Sequence, residues 1–159
     1  MTEYVYESKP AVIEQSRSML LKVIVSGAAL GLVVWALTYV LERFLLGGLL
    51  CDGDVLCVKS TAFSGSIAAV VAAIIGVATL VRMNIYRPLL IALGAVVSLW
   101  GLAKWLNGLS VLEAVGWTVL LYALAYGAYA WIARIRSVPI LLITFALIVV
   151  ATRAVPHFL

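Results

Sequence analysis

Titratable chemistry is scarce in this chain. Among 159 residues there are one histidine, two cysteines and seven acids. His157, Cys51 and Cys57 fall short of the three or four nitrogen and sulfur ligands of a zinc site. Asp52-Gly53-Asp54 is a fragment of what a calcium loop needs. No glycine-rich phosphate loop ending in lysine, no His-Glu zinc helix and no Gly-x-Ser-x-Gly elbow occurs. No acid falls near the middle of an apolar run, so proton-coupled transport lacks its usual relay. These absences lead us to expect no enzyme, no cofactor and no metal. Charged residues of both signs make up 11% of the chain, against about 25% in soluble domains. The net charge of +4 comes from single or paired basic residues between apolar runs. Without a basic stripe or arm to follow a phosphate backbone, nucleic acid is excluded as a partner.

Apolar residues are what the chain has, at 65% with a mean hydropathy of +1.18. A soluble domain of this length cannot bury that much apolar surface, because the interior grows too slowly with mass. The lipid bilayer is therefore the expected solvent. A hydrocarbon core of roughly 30 Å takes about 20 helical residues per crossing. Five runs meet that length, at about 19–46, 61–81, 86–106, 111–133 and 139–155. Helix is the expected state of each, since no water is present to satisfy an open backbone. The expected fold is an all-α, polytopic membrane bundle of about five transmembrane helices over residues 19–159. Residues 1–18 form a separate polar segment, with a short amphipathic lead-in helix from Pro10.

The breaks between runs carry turn chemistry. Gly47-Gly48 and residues 51–54 end the first, and Arg82-Met83-Asn84 with Arg87-Pro88 separates the second from the third. Asn107-Gly108 precedes the fourth, with Ser110 as its N-cap, and Arg134, Arg136 and Pro139 precede the fifth. Connections this short force neighbouring helices antiparallel. With the N-terminus in the cytoplasm, Lys9, Arg17, Lys22, Arg82, Arg87, Arg134 and Arg136 lie inside, and Arg43, Lys59, Lys104 and Arg153 outside. The positive-inside rule favours that orientation, N-terminus in and C-terminus out, in a plasma (inner) membrane. The proline-containing starts of the third and fifth runs echo each other, which suggests a repeated hairpin.

Four groups of residues stand out as candidates. Cys51 and Cys57 bracket the first outer loop with five residues between them. In an oxidising compartment they are expected to form a disulfide, worth roughly 2 kcal/mol for so short a ring. A redox relay would need Cys-x-x-Cys spacing and a second pair. Small residues recur at helical spacing, namely Gly27 and Gly31, then Gly65, Ala69 and Gly76, then Gly94, Ser98 and Gly101. Such faces allow the close backbone approach that lets helices pack in lipid. Tyr122, Tyr126 and Tyr129 form one stripe on the fourth run, either packed with hydroxyls bonded or lining a cavity. Glu42, Glu113 and Arg153 stand out as candidates among the charged residues in or near the membrane. Arg153, about 21 Å along the fifth helix from Pro139, either snorkels outward or pairs with Glu42 or Glu113.

Together these features point first to a non-enzymatic structural or accessory subunit. It would pack with copies of itself or with other membrane subunits through its small-residue faces. The alternative is a small transporter or channel whose path is lined by the tyrosine stripe and Arg153. The drawback of that alternative is the lack of a broken helix or a midplane charge. A third reading is an enzyme of the outer leaflet acting on lipid or thiol.

Overall fold

In lipid the backbone must close its own hydrogen bonds, and apolar runs separated by Gly, Asn and Pro have helix as their one solution. The computed structural model describes residues 16–46 and 54–158, the side chains at 45–46, 54–59, 153 and 155–158 excepted. All of its elements are helical: α1 (Arg17–Val40), α2 (Asp54–Arg82), α3 (Pro88–Ser98), α4 (Leu102–Trp105), α5 (Val111–Ile132) and α6 (Val138–Phe158). Four segments are long and apolar enough to cross a membrane: Arg17–Phe44, Ser60–Arg82, Pro88–Trp105 and Val111–Ile132. Helix α6 contributes a shorter apolar stretch, Val138–Thr152. The chain is thus an all-α bundle with four to five such helices. The lead-in helix expected from Pro10 lies outside the described residues, as does Cys51.

Local chemistry sets the ends. Ser16 caps α1 by accepting the Met19 amide, and Ser110 caps α5 through a reciprocal box with Glu113. Pro88 opens α3 in the first turn, where a missing amide proton costs nothing. Asn84 and Arg87 take left-handed conformations in the turn before it. The Arg87 guanidinium donates to the Ile135 carbonyl at 3.2 Å, tying the α2–α3 turn to the α5–α6 turn.

Two boundaries differ from the sequence expectation, and the first helix keeps its expected end near residue 46 but changes its winding. The second helix begins at Asp54, not near 61. No glycine or proline occurs between Gly53 and residue 61, so the helix extends back two turns and takes Cys57 out of the loop. The first helix continues past Val40 as a π-helical turn, Leu41–Leu46, which carries Glu42. The third helix is broken. It stops at Ser98, turns at residues 99–101 and restarts as the single turn α4, with Gly101 at φ +87°. Gly101 therefore does not share a helical face with Gly94 and Ser98.

Packing follows a ring. The most extensive pairing is α1 with α5; α1 also meets α2, α2 meets α3 and α4, and α3 meets α5. Helix α6 lies outside the ring against α3 and α5. The tyrosine stripe fills the centre, with Tyr122, Tyr126 and Tyr129 each no more than 1% exposed.

The small residues of the surrounding helices are the sockets for that stripe. A Cβ at Gly27 would stand 2.7 Å from the Tyr126 Cβ, and one at Gly31 would stand 2.9 Å from the Thr118 carbonyl oxygen. A Cβ at Gly76 would collide with the Tyr126 hydroxyl, and one at Gly94 would lie 2.6 Å from the Tyr129 ring. At Gly65 it would meet the Ala103 methyl at 2.6 Å, which seats α4 on α2. Ala69 is buried in the same face. Close approach gains dispersion contacts where no hydrophobic driving force acts between helices. The Gly27–Gly31 face is covered by α5, so it is not a surface left open for another subunit.

Hydroxyls on these helices bond back to their own backbone. Ser26, Thr38, Ser64, Thr118 and Thr152 each donate to a carbonyl three or four residues earlier, at 2.7–3.0 Å. That is how lone hydroxyls are satisfied in lipid. Tyr129 reaches further, to the Ser98 hydroxyl at 2.5 Å, and its ring meets Phe145 of α6 at 5.4 Å between centroids.

Candidate functional site

A helix interrupted at membrane depth leaves backbone that must be buried or face a cavity. Here the break lines a cavity. Leu99, Gly101 and α4 line, together with α1, α2 and α5, a space of about 210 Å³ at the end of the bundle that holds Glu42. Gly101 permits the turn, since φ +87° is a region side-chain-bearing residues rarely adopt.

Each wall has a separate origin. Helix α1 supplies Val34, Trp35, Thr38 and Tyr39 at helical spacing, and its π turn supplies Glu42. A π turn is rare and is frequent at functional sites. Helix α2 brings Thr61, whose hydroxyl donates to a Glu42 carboxylate oxygen at 2.5 Å. Helix α5 brings Ala114, Thr118 and Tyr122, and Tyr122 closes the floor toward the tyrosine-filled core. The Asn107-Gly108 turn borders the opposite side.

The polar surface of the cavity is rich in acceptors. Thr38 and Thr118 already give their protons to the Val34 and Ala114 carbonyls, so toward a ligand they present lone pairs. Glu42 is the one charged side chain among the described lining residues. Trp35 and Tyr39 stack on each other, 5.6 Å between centroids and 16° from parallel. The remaining lining is largely aliphatic, from Leu99, Leu102 and Leu106. Such a mixture, apolar walls with a few convergent polar groups, characterises small-molecule sites.

The structure brings together some of the residues singled out from the sequence and separates others. Glu42 and Tyr122 share the cavity. Tyr126 and Tyr129 do not; they are core side chains held by Gly27, Gly76, Gly94 and Ser98. Glu113 is engaged by Ser110, whose amide and hydroxyl both donate to it at 3.1 and 2.8 Å, so its role is capping α5. Lys104, on the other side of the Asn107-Gly108 turn, forms no ion pair with Glu113 among the described residues. The side chains of Arg153 and Cys57 lie outside the described residues, as does all of Cys51. No cluster of three metal-ligating side chains occurs among the described residues.

Sequence reasoning missed Thr38, Thr61, Thr118 and the break itself. Gly101 inside the third run was the one local trace of the break, and a lone glycine is too weak a signal to mark an interruption. The threonines carried no signal, because a hydroxyl in an apolar helix is most often bonded to its own backbone. The chain matches no family model, no curated protein and no solved structure.

Proposed function

We propose that this chain is a small-molecule carrier of the membrane, which holds its cargo in the cavity beside the broken third helix. The single observation that carries the reading is the interruption at residues 99–101 lining that cavity. Carriers place substrates where a helix is discontinuous, because unwound backbone offers polar groups that an intact helix withholds. Access from one end and a floor at Tyr122 fit a state open to one side. The tyrosine stripe below is packed core, so passage requires α1 or α3 to move against α5.

The test uses the purified chain in detergent and in liposomes. Amphipathic molecules of about ten heavy atoms, neutral, cationic and anionic, are screened by thermal shift and by exchange across the bilayer. A ligand at 100 times its dissociation constant stabilises by about 2.7 kcal/mol, and Ala114→Trp, which fills the cavity, removes the shift. If no member of the panel stabilises the wild-type chain and loaded liposomes stay sealed, the carrier reading is wrong.

The charge distribution supports an orientation. Arg17, Lys22, Arg82, Arg87, Arg134 and Arg136 gather at the end opposite the cavity. By the positive-inside rule that end faces the cytoplasm of a plasma (inner) membrane, so the cavity and residues 47–53 face outward. Cys51 and Cys57 then sit in an oxidising compartment and form a disulfide. With both cysteines changed to serine, Asn107→Cys is expected to react with an impermeant maleimide on intact cells and Arg136→Cys, equally exposed on the protein, to be protected. The native pair resists alkylation until reduced. The reverse labelling pattern would invert the topology.

A second reading, an accessory subunit packing with itself or with other membrane proteins, is favoured by α6. Ile140, Ile143, Leu147 and Val150 are all more than half exposed on this outlying helix. A partner would dock there and not on the small-residue faces, and would be seen as a heavier complex in mild detergent.

A further inference from the structure

We infer that the cargo of the cavity is an organic cation, an aromatic or aliphatic ammonium compound of about ten heavy atoms. This rests on the carrier reading above and adds the ligand class to it.

Two independent features of the cavity favour positive charge. The first is Glu42. One carboxylate oxygen accepts the Thr61 hydroxyl, and no basic side chain among the described residues pairs with the group. A carboxylate half-withdrawn into an apolar bundle is stabilised by a counter-charge, and the cavity is where one can reach it. The second is the hydroxyl pattern, since Thr38 and Thr118 can only accept from a ligand. Helix dipoles do not discriminate, because α3 brings its negative end and α5 its positive end to the cavity.

The same walls argue against a bare metal ion. Calcium takes six to eight oxygen ligands and magnesium an octahedron, whereas Glu42 is the one carboxylate and the surroundings are mostly aliphatic or aromatic. Apolar walls suit an organic group instead. The volume of about 210 Å³ exceeds the roughly 150 Å³ that accommodates a benzene ring, leaving room for a small charged substituent. Trp35, Tyr39 and Tyr122 place three aromatic rings around that space, and ammonium groups bind the faces of such rings.

The test compares benzyltrimethylammonium with neopentylbenzene, which has the same shape without the charge, and with benzenesulfonate. Each is titrated into the full chain in neutral detergent, with affinity read by calorimetry or by quenching of tryptophan fluorescence. The cation is expected to bind at least ten-fold more tightly than its neutral isostere, and the anion not to bind. Glu42→Gln is expected to cost the cation ten-fold or more and to leave the neutral compound within two-fold. Glu42→Asp keeps most of the preference. Equal affinity of cation and isostere in the wild-type chain overturns the inference while leaving the carrier reading standing. A preference that persists in Glu42→Gln overturns it too. Failure of all three compounds to bind the wild-type chain overturns the inference, and the wider panel then decides the carrier reading. The wild-type comparison needs no variant, so a misfolded Glu42→Gln protein would not protect the inference.

Discussion

Gly27→Leu and Gly31→Leu are each expected to separate the bundle without melting its helices. At both positions an added side chain meets backbone. The Tyr122 carbonyl oxygen lies 2.9 Å from a Cβ at Gly27, and the Thr118 oxygen and Val119 Cα lie 2.9 Å from one at Gly31. Backbone cannot rotate aside as a flexible side-chain tip can, so α1 must move off α5, its most extensive partner. Overpacking ordinarily costs about 1–3 kcal/mol, and a backbone obstacle places these variants at or beyond the upper figure. Far-ultraviolet circular dichroism should remain helical, because each helix closes its own hydrogen bonds in detergent or lipid. Tryptophan fluorescence and thermal unfolding should report lost tertiary packing. Wild-type unfolding midpoints in both variants would mean that α1 and α5 do not meet through these glycines.

The neighbouring Gly76 offers a sharper form of the same test. A Cβ there collides with the Tyr126 hydroxyl, while the next atoms, Leu30 Cδ1 and Tyr126 Cζ, stand at 3.1 and 3.4 Å. Gly76→Ala alone is destabilising, and Tyr126→Phe removes the colliding oxygen. The double variant should therefore recover about 1–2 kcal/mol relative to the sum of the singles, within the range seen for residues in contact. Strict additivity would show that the hydroxyl does not occupy the Gly76 socket.

Substitutions at Gly101 should follow an order set by the backbone alone. No atom lies within 4 Å of an added Cβ, so steric crowding is not at issue. What matters is φ +87°. An ordinary L-residue pays roughly 1–2 kcal/mol to enter the left-handed region, Asn least and β-branched residues most. Thermal stability should fall from Gly to Asn to Ala to Val. Gly101→Val has a second outcome open to it, since α3 can straighten into α4 and close the cavity. Ligand affinity would then fall further than stability does. A more stable Gly101→Val protein that still bound ligand would show that the break is not needed for the site.

The particular residues explain why some of this was legible beforehand. Five apolar runs, each bounded by Gly, Asn, Pro or Arg, leave few alternatives to membrane helices, and Ser110 followed by Glu113 marks a helix start wherever it is placed. The break was not legible, because Gly94, Ser98 and Gly101 satisfy the spacing of a continuous small-residue face. One glycine inside a helical run costs only about 1 kcal/mol relative to alanine, too little to mark an interruption by itself. The tyrosine stripe and the glycine faces were both visible, but as separate motifs. That one is the socket of the other depends on α5 closing the ring against α1.

The site depended still more on long-range geometry. Glu42 and Thr61 lie nineteen positions apart on different helices, and nothing local predicts that a π turn should carry one against the other. Composition and periodicity by themselves determined the lipid solvent, the helical state and the approximate ends of each crossing, because those follow from transfer and hydrogen-bond energies felt residue by residue. Tertiary structure decided which faces meet, where the third helix yields and where the cavity opens. In lipid, helices gain from each other chiefly through shape and hydrogen bonds, and shape belongs to pairs of surfaces, not to a string.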